Sequence, residues 1–325
     1  MERHAAMLFS APMGAKSFRV AAILAAIAVA ALVAVAAIKQ NPVTYREVRH
    51  DVEPILPDMV DIPGGTFTMG DDARGRDIER PAHAVEISPF RLARYEVTNA
   101  EYERFCDATG RPSPPDPDFA EVNPLGKNYV TEHPRHPVVM ISWSDMAAYC
   151  AWLSDRTGRD FHLPTEAQWE RAARGGREGV EYPWGPERER DRARIFLTWS
   201  EGTVEVGSYP PTGYGLYDIA GNVAEATADW YDERYYAKSP RKDPTGPSGF
   251  ANYATLISPW KRSRLKGRCH VVRGGSYRAP WDGVMQGVDG RPELSCQTFG
   301  RDWLYQQPYT HFDLGFRLAE GGVWR

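Results

Sequence analysis

An unbroken apolar run from Val20 to Ile38 (VAAILAAIAVAALVAVAAI) constrains this chain more than any other feature. A helix needs about 20 mostly apolar residues to cross the hydrocarbon core, where every backbone amide must be satisfied within the segment. The run meets that length and is expected to be one transmembrane helix. Arg3, Lys16 and Arg19 precede it, and basic residues stay on the cytoplasmic side, so the chain beyond Lys39 faces outward. The expected address is the bacterial inner membrane, single-pass, with the C-terminal domain in the periplasm. A cleaved leader is the competing reading, because Ala34-Val35-Ala36 resembles a small-residue cleavage site and the run is rich in Ala. Retention is favoured by the long segment before the run. Both readings export the rest of the chain.

Four segments follow from this reading: a cytoplasmic N-terminus (1–19), the helix (20–38), a polar linker (39–57) containing Pro42 and Pro54, and a large domain (58–325). With 42% apolar and 25% charged residues, the chain has the balance of one that buries a core. Its net charge of −4 gives no general field for nucleic acid. The 10 Trp, 29 Gly and 26 Pro suit short strands and many turns rather than a helical bundle. Cys106, Cys150, Cys269 and Cys296 are the only cysteines. Export permits disulfides, and the spacing leaves all three full pairings open.

Within the domain, Val60–Gly70 has strand character broken at Gly64-Gly65, and Ala84–Tyr95 alternates with a break at Pro89. Thr98-Asn99-Ala100-Glu101 and Thr165-Glu166-Ala167-Gln168 are capping boxes that open helices. Ser144 is expected to cap a third helix, whose Met146, Tyr149, Cys150 and Leu153 share one face. On such faces Cys106 and Cys150 are expected as core residues. Thr203–Ser208, Val271–Arg273 and Gly315–Ala319 are expected as short strands. The basic stretch Pro259–Arg268 is expected as a solvated loop, with a docking patch for an acidic partner as the other reading.

In order along the chain come IPGGTFTMG, ERPAHAVEISPFRLARYEVTNAEYERF, HPVVMISWSDMAAYCAWLS, HLPTEAQWERAARGG, YPWG, VGSYPPTGYGLYDIAGNV, DWYDERYY, VVRGGSY and GFRLA. Together they resemble the sulfatase-modifying-factor, or formylglycine-generating-enzyme, family from about Val60 to Ala319. The resemblance implies an α+β fold: a single formylglycine-generating-enzyme-like domain, related to C-type lectins, with little regular secondary structure.

In active members of that family, two cysteines beyond R-G-G-S-W bind copper(I) and activate oxygen. Here the corresponding positions are Ala279 and Val284. Neither side chain supplies the soft thiolate that copper(I) requires, so copper and formylglycine generation are not expected. The resemblance also implies a structural calcium site. Its ligands would be the Asp218 side chain, the carbonyls of Gly221 and Val223, and the Glu225 carboxylate, a hard oxygen set. A second family calcium site begins at a position held here by Arg194, and no cation is expected there.

The expected function is therefore a catalytically silent binding or accessory subunit. It would be anchored by its helix and would meet a protein partner in a membrane or periplasmic complex. The rival is an oxidative enzyme of the same family using non-cysteine chemistry, similar to a pyoverdine-maturation protein, with Ser276, Arg278, Trp281 and His270 as cleft candidates. Lectin-like ligand capture rests on fold analogy alone. His133, His136, His270 and His311 lack paired metal-ligand spacing and are expected to be structural.

Overall fold

Glycine and proline breaks divide the start of the domain into four strands: β1 (Met59–Ile62), β2 (Gly65–Met69), β3 (His83–Ile87) and β4 (Phe90–Ala93). These come from a computed structural model, in which the described residues are 46–117, 125–187, 189–195, 202–248, 269–278, 296–298, 300–305 and 310–324. Gly64 is required between β1 and β2, since a Cβ there would sit 2.8 Å from the carbonyl oxygen of Ile87. Strands β2 and β3 then pair antiparallel, with Phe67 opposite Val85.

Three helices follow the four strands. In α1 (Asn99–Thr109), Thr98 and Glu101 cap one another's backbone amides, and Gly110 closes the helix in the left-handed conformation. A single turn, α2 (Tyr129–Glu132), leads to α3 (Trp143–Thr157). Ser142 caps α3, not Ser144: the Ser142 hydroxyl accepts from the Asp145 amide while Asp145 reaches back to Ser142. Ser144 lies one residue inside the helix and meets Ser142 hydroxyl to hydroxyl at 3.0 Å. After β5 (Phe161–His162), Thr165 and Gln168 form the box that opens α4 (Glu166–Ala173).

The remaining strands are β6 (Ala224–Trp230), β7 (Cys269–Arg273), β8 (Arg301–Tyr305), β9 (Leu314–Gly315) and β10 (Ala319–Glu320). One sheet runs β1-β4-β10-β5, and another runs β8-β7-β6-β9 with β9 parallel to β6. The stretch expected as a strand at Gly315–Ala319 is thus two strand ends in different sheets, joined through Phe316, Arg317 and Leu318. No strand forms at Thr203–Ser208. Its backbone is drawn to other partners: the Val204 amide donates to the Asn222 side chain, the Val206 amide to the Arg135 carbonyl, and the Gly207 amide to Asp218.

The main core packs α1 and α3 against strand residues of both four-stranded sheets, among them Ala93, Phe161, Ala226 and Val272. Tyr102, Phe105, Cys106, Met146, Tyr149, Leu153, Phe161, Phe316 and Leu318 are all buried there. Full burial of one such aliphatic or aromatic side chain contributes roughly 1.5–3 kcal/mol, which fixes the helices to the sheets. Of the expected linker, residues 46–57 are described, and they begin on α1: the Arg46 amide donates to the Gly110 carbonyl, and its guanidinium pairs with Glu103 and Asp107. Among the described residues no helix is long and apolar enough to cross a membrane. The run Val20–Ile38 and the basic stretch 259–268 lie outside them.

Candidate functional site

Strand β7 delivers the chain to the site, and a buried ionic lattice holds β7 in place. Arg273, fully buried, pairs with Glu170 of α4 and stands 3.8 Å from Glu166. Arg301 on β8 pairs with Glu166 at 2.8 Å, and Arg174 with Glu170 at 2.6 Å. Charges removed from water persist only when paired and hydrogen-bonded in this way. Beyond Arg273, Gly274 (φ 88°) and Gly275 (φ 68°) turn the chain through left-handed conformations that side chains resist. A Cβ on Gly274 would also press to 3.1 Å from the Trp169 ring.

The turn presents Ser276, whose hydroxyl donates to Asp313 Oδ2 at 2.8 Å and accepts the Arg278 amide at 3.2 Å. His311 Nδ1 makes a short hydrogen bond to the other oxygen, Asp313 Oδ1. The Arg278 guanidinium lies 4.0 Å from Asp313 Oδ2 and 5.3 Å over the Phe312 ring, which in turn stacks on His311 at 4.0 Å. Burial alone would raise the Asp313 carboxyl, but His311, Arg278 and Ser276 together hold it below its usual range. The Tyr277 phenol is pushed far up, by burial first and by Asp313 second, and stays neutral. The turn thus carries an ionised carboxylate shared by an imidazole, a hydroxyl and a guanidinium.

The four cleft candidates separate. Ser276 and Arg278 meet at Asp313, whereas His270 lies at the far end of β7, opposite Trp230 on β6. There its ring is clasped between Trp143 (centroids 3.8 Å) and Trp230 (3.9 Å). Burial lowers the His270 imidazole to about 4, so it is neutral at ordinary pH. Trp281, Ala279 and Val284 lie outside the described residues.

The calcium candidates collect around the turn before β6. Asp218 is buried; its Oδ2 accepts the Gly207 amide at 2.6 Å, and its Oδ1 is buried with no hydrogen-bond partner. Both oxygens of Glu225 are gripped by Arg317, and one also accepts from the Trp169 indole at 2.8 Å. Sequence reasoning misses a third carboxylate here, Glu96, which accepts from the Asn222 side chain at 2.6 Å and from the Val223 amide at 3.1 Å. Burial first, then the charges of Asp218 and Glu225, push Glu96 well above its usual range. Asp218 is raised to about 6, mainly by burial. With Glu96 pushed toward its neutral form and Glu225 committed to Arg317, the buried Asp218 Oδ1 is the oxygen of these three carboxylates left without a partner, a hard donor of the kind calcium takes. Against it, among the described residues no three acidic, histidine or cysteine side chains converge as ligands.

No cysteine is in a disulfide, and all four are buried. Cys106 and Cys150 lie in the main core, Cys269 packs with Ile78, Tyr231 and Val271, and Cys296 with Tyr182, Ala193, Ile195 and Ala220. Burial pushes the Cys106 thiol up to about 12 and Cys150 higher still. The His133 and His136 rings are tilted against one another with centroids 4.7 Å apart, and His136 Nδ1 meets the Thr203 hydroxyl at 3.0 Å.

Residues 44–321 match the family described as "Sulfatase-modifying factor enzyme 1-like domain". The chain is 35% identical over 281 residues to the formylglycine-generating enzyme of Thermomonospora curvata, covering 70% of this chain and 85% of that protein. It is 36% identical over 220 residues to the mouse (Mus musculus) protein named inactive C-alpha-formylglycine-generating enzyme 2, covering 54% of this chain and 70% of that protein. Among solved structures, PvdO from Pseudomonas aeruginosa superposes with a TM-score of 0.61 at 26% identity, covering 84% of this chain and 99% of that one.

Proposed function

Because the chain belongs to the sulfatase-modifying factor enzyme 1-like family, we propose that it is a member silent in formylglycine generation, serving as a binding or accessory subunit of a membrane or periplasmic complex. The observation that carries this reading is the chemistry at positions 279 and 284, where Ala and Val offer no ligand atom to copper(I). The cysteines that remain are distributed over three separate packing clusters, buried and undissociated where their titration is perturbed. That the mouse relative is named inactive is consistent with a family holding silent members.

The proposed setting is the outer face of the bacterial inner membrane, with Val20–Ile38 as a retained anchor. Calcium is the proposed structural ion, held by Asp218 and Glu225 with the carbonyls of Gly221 and Val223. It would partner the orphaned Asp218 oxygen and tie the turn before β6 to the body of the domain.

The test combines chemistry and topology. Purified protein supplied with copper(I), oxygen and a sulfatase-motif peptide should leave the peptide mass unchanged, and the native detergent-extracted protein should retain a partner in fixed ratio. Protease added to spheroplasts should digest the domain. Formylglycine in the peptide, or a domain protected from protease, would sink the corresponding half of the reading.

A second reading, an enzyme using non-cysteine chemistry in the same cleft, is supported by the Ser276–Asp313–His311 cluster. Oxygen uptake or a stoichiometric redox metal would establish it.

A further inference from the structure

We propose that the stretch 46–57 is a membrane-docking strap, whose outward side chains Val48, Ile55 and Leu56 seat in the headgroup–acyl boundary of the bilayer that the chain itself enters. The proposal rests on the retained-anchor reading and adds to it a lipid contact made by the outer domain.

The stretch is fastened to the domain rather than trailing from it. The Arg46 amide donates to the Gly110 carbonyl at the end of α1, and the Arg49 amide donates to the Asp107 carbonyl within it. Arg156 of α3 holds the Val52 carbonyl and the Glu53 carboxylate, each at 3.2 Å. Arg94, just past β4, takes Asp58 at 2.5 Å. Val52 is buried, but its apolar neighbours are not: Val48, Ile55 and Leu56 are 45%, 40% and 56% exposed. They are three of the five exposed large hydrophobic side chains among the described residues. Single exposed apolar residues are ordinary on a protein surface, whereas three within one short pinned stretch call for a partner.

The length of chain before the strap points to the bilayer as that partner. The apolar run ends at Ile38 and the strap begins at Arg46, with only Lys39–Tyr45 between them. Fully extended, that connection reaches at most about 29 Å, and the headgroup layer takes up roughly 5–8 Å of it. A retained anchor therefore keeps the strap close to the lipid surface, against which any soluble partner would have to compete at high local concentration. Charge says what kind of contact it is. Arg46 and Arg49 stand against Glu47, Asp51 and Glu53. Arg49 pairs with Asp51 at 3.7 Å, and Arg156 with Glu53 at 3.2 Å. With no cationic excess to draw it to anionic headgroups, the contact is apolar burial, and added salt leaves it unchanged.

The experiment uses the full chain in vesicles of phosphatidylethanolamine and phosphatidylglycerol, with flotation reporting whether the chain travels with them. In hydroxyl-radical footprinting of the wild type, Val48 should be oxidised about threefold less than Val323, a valine of matching exposure at 42%. A fluorophore attached at Leu56→Cys then identifies what covers the strap, since the four native cysteines are buried. Lipid carrying a nitroxide near the headgroup end of its acyl chain should quench it about threefold more than the same fluorophore at Asp77→Cys, whose native side chain is 91% exposed. The difference should persist in high salt. Adding Val48→Glu/Ile55→Glu to the labelled chain should abolish the quenching while the chain still floats. Val48 oxidised as fast as Val323 overturns the proposal, and that readout needs no variant. Protection without lipid quenching also overturns it, and assigns the strap to a second copy or a protein partner. A chain that does not float removes the anchor reading and the proposal together, whereas a floating chain with a bare strap removes the proposal alone.

Discussion

Arg317 and Glu225 face one another with almost no solvent between them: the guanidinium meets both carboxylate oxygens at 2.6 to 2.9 Å, and both side chains are at most 1% exposed. The same guanidinium donates to the carbonyls of Ala93 and Tyr217, so one residue joins β4, the turn before β6 and β6 itself. Removing one partner of such a pair strands a buried charge. Arg317→Met should therefore cost about 3–5 kcal/mol in denaturant unfolding, and Arg317→Met/Glu225→Gln should recover part of that loss. If the double variant is as damaged as the sum of the two singles, the pair is not the coupled unit described.

The orphaned Asp218 oxygen leads to a calcium prediction. A ligand that binds only the folded state stabilises it by RT ln(1 + [L]/Kd), about 2.7 kcal/mol at a hundredfold excess over Kd. Chelator should lower the melting temperature of the wild type, and Asp218→Asn should melt at one temperature with or without calcium. A wild-type melting curve indifferent to chelator, with no calcium by elemental analysis, would remove the ion.

Capping of α3 gives a comparison between two serines two residues apart. Ser142→Ala breaks a reciprocal box and should cost about 1 kcal/mol, with faster amide exchange in the first turn of the helix. Ser144→Ala should change stability by a few tenths of that. Equal effects would return the cap to the position suggested by sequence alone.

That cap illustrates how far the fold is legible in the sequence. The boxes at Thr98 and Thr165 are plain because Glu or Gln stands three residues on, and the Gly64-Gly65 and Pro89 breaks mark strand ends. At Ser142 the third residue is Asp145, which plays the same part with a shorter side chain, so the signal passes to the neighbouring serine. Thr203–Ser208 alternates like a strand, but Asn222 and Asp218 compete for its amides, and a local pattern cannot show a distant acceptor. The candidate site is half legible. Ser276 and Arg278 follow from their place in the motif, yet Asp313, which organises them, lies 37 residues from Ser276 and announces itself by no spacing. Glu96 is hidden likewise, 126 residues from Asn222.

His136 supplies a pH dependence. Burial first, then His133 and Arg194, depress its imidazole to about 4, below the 6.5 of an unfolded chain. Between those values the unfolded state binds the proton and the folded state does not, so this site removes stability as pH falls from 6.5 toward 4. Allowing for partial solvent screening, the loss should be about 1–2 kcal/mol, and His136→Gln should flatten that part of the curve. A wild type and variant with parallel stability curves over this window would show that His136 titrates normally.

The last prediction concerns the thiols. Formylglycine chemistry in this family needs two thiolates on one copper(I) ion, and a thiol reacts or ligates only in its deprotonated form. With Cys106 raised to about 12 by burial and Cys150 above that, neither presents thiolate near pH 8. Cys269 packs behind Ile78 and Tyr231, and Cys296 behind Tyr182 and Ile195. Native protein should therefore titrate far fewer than four thiols with a disulfide reagent at pH 8, whereas denaturant should release all four. Copper(I) added to the reduced native protein should bind no tighter than to a Cys269→Ser/Cys296→Ser variant. Stoichiometric copper lost in that variant, accompanied by turnover of a sulfatase-motif peptide, would mean that the chain has rebuilt the family's metal centre from cysteines outside the usual motif, and the silent reading would fall.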